Sequence, residues 1–392
     1  METVSLLKVD SYQDNLQAKL IELLKPLGGI EGFCKPGEKV LIKPNFVLAR
    51  SVESAATTHP ALITALIVLL TDYGCEVAVG DSPGLGSAIN VIHKLGLSET
   101  FQKYHVKVVE LETPAAVDLQ QEFPFERRFL NLQLAAELKQ FDKIINIPKL
   151  KSHGQMGLTL AIKNLFGCVP GPAKGQWHFA AGRDLRAFAR LLVEIAYTVK
   201  PTLHIIDGII GMDGNGPTNG RARELNILAA GANPLALDRI IAEMIHQQPV
   251  ERFPIFEVAG ELDLPGLNLE EITVLGESLA SFQIKDFQIP SMVQLDLVVN
   301  HTFSRLIEWL IRQNLVLDKK KCIHCKECEE HCPAKAIYYQ NGIKINEQKC
   351  IKCCCCQELC PVGALKVSDP FLIKCFRLVK FDKKRTLSRK KA

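Results

Sequence analysis

The sequence predicts an α/β protein: a large, mainly parallel sheet with helices on both faces, followed by a small α+β domain at the C-terminus. Three observations predict it. Short β-rich runs alternate with helical patterns over the first 300 residues, ten of the fourteen cysteines crowd between Cys322 and Cys360, and the same stretch carries an internal repeat of 28 residues. A mainly parallel sheet covered by helices is the simplest packing for such alternation, because each element buries its apolar face against the next layer.

The strand runs are LLKV (6–9), KVLIKP (39–44), CEVAVGD (75–81), KIINIP (143–148) and LHIID (203–207). Between them, Pro60–Tyr73 and residues 184–199 place apolar side chains at spacings of three and four, and Asn233 before Pro234 reads as an N-cap and first helical turn. Residues 249–300 mix proline-rich turns with two strand candidates, ITVLG and FQIKDF. Residues 301–317 carry Phe303, Leu306, Ile307, Leu310 and Ile311 on one helical face, which predicts a linking helix. The expected organisation is an α/β domain over 1–300, that helix over 301–317, a cysteine domain over 318–368 and a basic amphipathic tail over 369–392.

A chain of 392 residues is long enough for two or three domains. Apolar residues at 47% and charged residues at 23% match a soluble globular protein and argue against a disordered or fibrous class. The first ten residues lack a basic stretch followed by an apolar run, and the most apolar later run, 61–70, is far too short to span a bilayer. No transmembrane segment and a cytoplasmic location are expected. A net charge of +4, from 47 basic and 43 acidic residues, gives no reason to expect nucleic acid as a partner.

Crowded thiols in a chain of this kind point to metal, since a reducing cytosol leaves them free to ligate iron or zinc. Residues 315–337 match 343–365, aligning all eight motif cysteines and also Pro333 with Pro361, Ala336 with Ala364, and Leu315 and Leu317 with Ile343 and Ile345. Cys322, Cys325, Cys328 and Cys332 before Pro333 give C-x2-C-x2-C-x3-C-P, and Cys350, Cys353, Cys356 and Cys360 before Pro361 give it again. In this bacterial ferredoxin-type pattern three close thiolates wrap one cubane, while the fourth sits too far round and ligates the other cluster. The spacing predicts two [4Fe-4S] clusters: Cys322, Cys325, Cys328 and Cys360 for cluster 1, and Cys350, Cys353, Cys356 and Cys332 for cluster 2. Zinc usually takes two C-x2-C pairs, and the doubled motif exceeds that need. Cys354 and Cys355 are extra thiols that the repeat leaves to pack beside a cluster, where they tune its potential.

The segments KPGEKVLIKPNFV (35–47), THPALITALIVLL (58–70), VAVGDSPG (77–84), INIPKLKSHGQMGLTLAIKNLFG (145–167) and DGIIGMDGNGP (207–217), followed by the doubled cysteine motif, resemble the DUF362 domain family in the version fused to a C-terminal 4Fe-4S dicluster domain. The resemblance covers about 35–245, and the ferredoxin-type portion extends it to about 367. It implies no chemistry for the large domain. Relatives tend to carry an aromatic residue at the place of Cys354, a departure that bears only on polarity beside cluster 2.

Read for chemistry, the large domain offers Lys43 and Asn45 at one strand end, Asp81 after the next strand, and a polar group of Lys149, Lys151, His153, Lys163 and Asn164. Ligands bind beyond strand ends in open α/β sheets. Lysine and histidine beside asparagine donors suit a carboxylate or phosphate, and Asp81, Asp207 and Asp213 suit a divalent cation or a positioned proton. Lys149, His153, Lys163, Asn164 and Asp81 are the catalytic candidates; the plainer alternative is solvated lysines and aspartates that cap turns. No P-loop occurs, and DSPGLGSA fails the dinucleotide fingerprint, so no nucleotide cofactor is expected. His59, His93, His105, His178 and His204 stand isolated and read as structural.

The function expected is iron-sulfur electron transfer serving an oxidoreductase activity of the large domain on a small anionic substrate. The alternatives are a ferredoxin-like carrier with no substrate of its own and a metal- or cofactor-handling protein. Redox proteins are the expected partners. The tail sets Phe371, Leu372, Cys375, Phe376 and Val379 opposite basic residues, which suits either peripheral contact with an anionic membrane or packing on the cysteine domain.

Overall fold

The computed structural model describes residues 1–245, 250–282, 284–290 and 314–368. Strands β1 (Glu2–Lys8), β2 (Lys39–Pro44), β3 (Glu76–Asp81) and β4 (Lys107–Glu110) are followed by a hairpin of β5 (Pro114–Ala116) and β6 (Gln133–Ala135). β7 (Lys143–Ile147) and β8 (Lys149–His153) flank Pro148, β9 (Gly157–Thr159) folds back on β8, and the long pair β10 (Leu203–Asp213) and β11 (Arg221–Gly231) precedes β12 (Ile272–Gly276). Ten of these strands form one sheet in the order β12-β1-β11-β10-β7-β2-β3-β4, with β8 beside β10 and β9 beside β8. The run from β10 through β7, β2 and β3 to β4 is parallel throughout; β11 is antiparallel to both its neighbours.

Period-two alternation sends adjacent strand residues to opposite faces. Ile206, Ile227 and Ala229 pack with Phe188, Leu192, Leu237 and Ile241, whereas Ile205, Leu228 and Ala230 pack with Leu20, Leu62 and Leu66. Helices therefore cover both faces: Leu16–Leu24 and Pro60–Tyr73 on one, Leu185–Val199 and Pro234–Ile245 on the other. Their starts are encoded locally. Asp184 accepts from the N–H groups of Arg186 and Ala187, and Asn233 from those of Leu235 and Ala236, each relieving amides that the first turn leaves unpaired.

ITVLG is β12, but FQIKDF makes no strand among its described residues. Asp286 sits at φ 59°, and Arg223 holds the carbonyls of Asp286 and Lys285 at 2.9 and 3.0 Å, so a guanidinium fixes this segment where a ladder was expected.

In the C-terminal region β13 (Asn314–Leu317) pairs with β16 (Leu365–Ser368), and β14 (Ile337–Tyr339) pairs with β15 (Ile343–Ile345). The last four residues of the expected linking helix are therefore strand: Leu315 and Leu317 follow the period of two that the repeat shares with Ile343 and Ile345. Residues 301–313 and the tail 369–392 lie outside the described residues. The duplication extends to the backbone. Helices Glu327–Glu330 and Cys355–Leu359 correspond, and so do the left-handed residues His324 and Lys352, both at φ 58°, and Lys326 and Cys354, at 65° and 60°. Among the described residues no helix is long and apolar enough to cross a membrane.

Candidate active site and metal centre

Every described cysteine is a free thiol, and the motif thiols gather in two groups. Cys328 lies among Cys325, Cys360 and Cys322, and Cys356 among Cys353, Cys354, Cys350 and Cys332. Burial first, and then these neighbours, push Cys328 up to about 11 and Cys356 well above the usual thiol range, because crowded thiolates repel one another unless a cation neutralises them. Each group thus draws on both motifs, and soft sulfur donors crowded in this way suit iron-sulfur chemistry. A small cavity lies where Cys322, Cys325, Cys328 and Cys360 converge. The Ala336 N–H donates to Cys332 Sγ and the Ala364 N–H to Cys360 Sγ, both at 3.2 Å, orienting the two exchanged thiols by equivalent contacts.

The module is fastened to the sheet through its backbone. Arg50 donates to the Cys360 carbonyl at 2.9 Å and to that of Pro361, Thr218 Oγ1 to the Glu358 carbonyl at 2.9 Å, Asn219 to that of Gln357 at 3.1 Å, and Arg183 to that of Cys350 at 2.9 Å. Between module and sheet lies a cavity of about 650 Å³. One wall is the ends of β2, β3 and β8 with Asn45, Phe46, Asp81, Lys151, His153, Lys163 and Asn164; helix Gly171–Ala181 adds Lys174 and His178; the module contributes Cys332, Pro333, Cys355, Glu358 and Leu359. Strand ends of a parallel sheet open into this space, as the fold class leads one to expect.

Its polar groups are held firmly. Asp81 accepts from Lys43 Nζ and from the Phe46 N–H, both at 2.8 Å. Lys151 Nζ donates to Asn45 Oδ1 at 2.6 Å and to the Ala56 carbonyl at 2.7 Å, and the amides continue from Asn45 to Asn164 at 2.6 Å and from Asn164 to Asn146 at 2.7 Å. Lys174 Nζ holds the Ser82 carbonyl at 2.5 Å. His153 Nδ1 accepts from the Gln155 and Met156 N–H groups, which places the ring proton on Nε2, 3.0 Å from Glu358 Oε1. Lys163 Nζ stands 5.1 Å from the Phe166 ring centre and has neither a carboxylate nor a hydrogen-bond acceptor among the described residues.

Burial lowers Lys151 and Lys174 to about 7 and lowers Lys163 as well, because a charge away from water is disfavoured. His178 falls to about 3 for the same reason. Burial works the other way on Glu358, yet His153, Lys163 and His178 outweigh it and hold the carboxyl at about 2. Asp81 is paired with Lys43, and Glu358 is the carboxylate whose field acts most on Lys151 and Lys163. The cavity is built for anions.

His153, Lys163, Asn164 and Asp81 thus meet as expected, but Lys149 does not join them. It donates to Asp207 at 2.9 Å and to Tyr12 at 2.7 Å in a separate buried group, where Tyr12 stacks on His59 at 3.5 Å. Asp213 is paired with Arg221 and Arg223 at 2.9 and 3.0 Å. Asp81, Asp207 and Asp213 are therefore matched by three different cation sets and do not converge on a divalent ion. Asp207→Asn should cost about 3–5 kcal/mol, since it leaves the Lys149 charge buried without a partner; denaturant unfolding checks this, and adding Lys149→Met should recover most of the loss.

Three lining residues escaped the sequence reading. Lys174 and His178 are four apart on one helix, a spacing that was available, and His178 is not the isolated histidine expected. Glu358 sits inside a cysteine motif and reads as a spacer. Another distant group sets the angle of the short helix Ala161–Asn164 that presents Lys163: Asp238 accepts from the Ala161 and Ile162 N–H groups at 2.7 and 3.0 Å. Burial raises Asp238 from 3.8 to about 7. A carboxyl raised on folding favours the native state at low pH, and that contribution is lost as pH climbs from about 4 through about 7. Wild type should accordingly lose thermal stability relative to Asp238→Asn across that window; a flat difference would show an ordinary carboxyl.

The family model described as "Domain of unknown function (DUF362)" matches residues 40–243, and that described as "4Fe-4S binding domain" matches 315–338. A "thylakoid-associated protein" of Synechocystis sp. is 36% identical over 305 residues, covering 75% of this chain and 93% of that protein. Among solved structures, a Thermotoga maritima protein aligns with a TM-score of 0.37 at 15% identity over 58% of this chain and 57% of its own. The lactate racemase apoprotein of Thermoanaerobacterium thermosaccharolyticum aligns at 0.36 and 11% identity over 60% and 55%. At these scores neither structure bears on the chemistry.

Proposed function

The chain belongs to the DUF362 family and carries a 4Fe-4S binding region, and from that premise we propose that it is an oxidoreductase, passing electrons through two clusters to or from a small anionic molecule held in the interfacial cavity. One observation carries the proposal: Lys163, without a hydrogen-bond or ion-pair partner among the described residues, faces the same 650 Å³ space as Cys332 and Cys355. The crossed grouping of thiols supports Cys322, Cys325, Cys328 and Cys360 as one ligand set and Cys350, Cys353, Cys356 and Cys332 as the other. When bound, a [4Fe-4S] cluster supplies one-electron storage.

The chain's own residues do the rest. Lys163 and Lys174 bind a carboxylate or phosphate, Lys151 adds to the positive field from behind Asn45, and His153 Nε2–H points a proton into the cavity beside Glu358. Phe46, Phe166 and Leu359 exclude water, which strengthens each of these interactions. Free thiols throughout the described residues support a reducing compartment such as the cytoplasm.

The test is a screen under argon. Reduced protein is mixed with carboxylates and phosphate esters, and cluster reoxidation is followed by absorbance. One chemical class should reoxidise it repeatedly; reoxidation by carrier proteins alone would leave a pure carrier.

A further inference from the structure

The two cysteine groups have unequal surroundings. Cys332, Cys353 and Cys356 are buried, and Cys332 borders the cavity. Cys325, in the other group, is exposed, and beside it Ile323 is 59% exposed, an apolar side chain that the fold leaves uncovered. Exposed Lys319, Lys320 and Lys321 precede that spot in the chain, and exposed His324 and Lys326 line the same small hollow as Ile323 and Cys325, with half-buried Glu327 beside them. None of the four lysines has a carboxylate within 4 Å among the described residues. Asp318, the acid preceding Lys319, is turned back on its own loop, accepting from the Lys320 N–H at 3.1 Å. Lys326 lies 4.9 Å from the Tyr339 ring centre, extending the apolar centre of the patch.

We infer that this face, with Ile323 and Cys325 at its centre and Lys319, Lys320, Lys321 and Lys326 at its rim, is the docking surface for a small acidic one-electron carrier protein. The inference rests on the electron-transfer reading above. An apolar centre within a mainly basic rim is the layout of a transient redox interface: the rim steers the encounter and the centre brings the two redox groups close. Clusters held by the two thiol groups would relay electrons from the outer group to the inner one and so to the cavity. Each transfer moves one electron, oxidising the carrier and reducing the outer cluster, with no bond made or broken.

The probe is a fully reduced acidic flavodoxin, whose blue semiquinone reports its loss of one electron, mixed in a stopped-flow instrument with the oxidised iron-loaded full chain. At low salt the reaction should be fast, and it should slow at least tenfold by about 0.5 M salt, where screening shortens the reach of charge to a few ångströms. Lys319→Glu/Lys320→Glu/Lys321→Glu protein should react at least tenfold more slowly at low salt and converge with wild type at high salt. Its affinity for oxidised flavodoxin, read by sedimentation, should fall by a similar factor, while iron content and reduction by methyl viologen radical stay as in wild type.

A triple variant within twofold of wild type towards flavodoxin at low salt overturns the inference. So does wild-type protein that sediments with vesicles containing phosphatidylserine through these lysines while its flavodoxin rate ignores salt, since the patch then serves a membrane. Wild-type protein that takes no electron even from methyl viologen removes the electron-transfer reading itself, and the docking surface with it.

Discussion

Protein in which Cys332 and Cys350 are both replaced by alanine should keep about half of the wild-type iron, whereas replacing Cys332 and Cys322 together should remove nearly all of it. Cys332 closes the first motif in sequence but lies beside Cys356 and Cys350 of the second, so the first pair of substitutions strikes one ligand set twice and the second pair strikes both sets once. A binding mode in which each motif serves its own cluster gives the reverse pattern. Iron and sulfide analysis under argon, with Mössbauer spectra of the remainder, distinguishes the two. The effect is large because metal binding and the folding of such small modules are one equilibrium, so losing a ligand set costs far more than one contact.

Lys163→Met should weaken binding of the anionic substrate roughly ten- to 150-fold, the equivalent of about 1.5–3 kcal/mol for a hydrogen bond to a charged group. The side chain has no acceptor to lose among the described residues, and its ammonium lies 5.1 and 5.6 Å from the Phe166 and Phe188 ring centres, where the thioether of a methionine of similar length also packs favourably. Titration calorimetry with the compound found by screening measures the loss, and iron content should be unchanged. An affinity within twofold of wild type would place the anion elsewhere.

Much of the fold was legible because its determinants are local. Asp184 and Asn233 cap the helices they precede, the β-rich runs are strands, and a 28-residue shift in the letters is the same shift in the backbone. Where reading failed, something distant had intervened, as Arg223 does for the segment around Asp286. The site divides along the same line. His153, Lys163 and Asn164 stood out because polar residues in an apolar passage need a reason, but nothing in the letters around Lys149 says that Asp207, 58 positions away, has claimed it. Glu358 was hidden more completely, since its partner His153 lies 205 positions earlier and its own neighbours are cysteines.

The duplicated module began as a thing of two like halves, with matched loops, matched left-handed turns and matched amide-to-sulfur contacts. Docking on the sheet breaks that pseudo-dyad: one half is walled in beside lysines, the other left wet. Potentials of such centres follow their burial and local charge. On the electron-transfer reading, near-identical cradles therefore become unequal rungs, and a ladder that slopes is made from a repeat that, standing alone, would have been level.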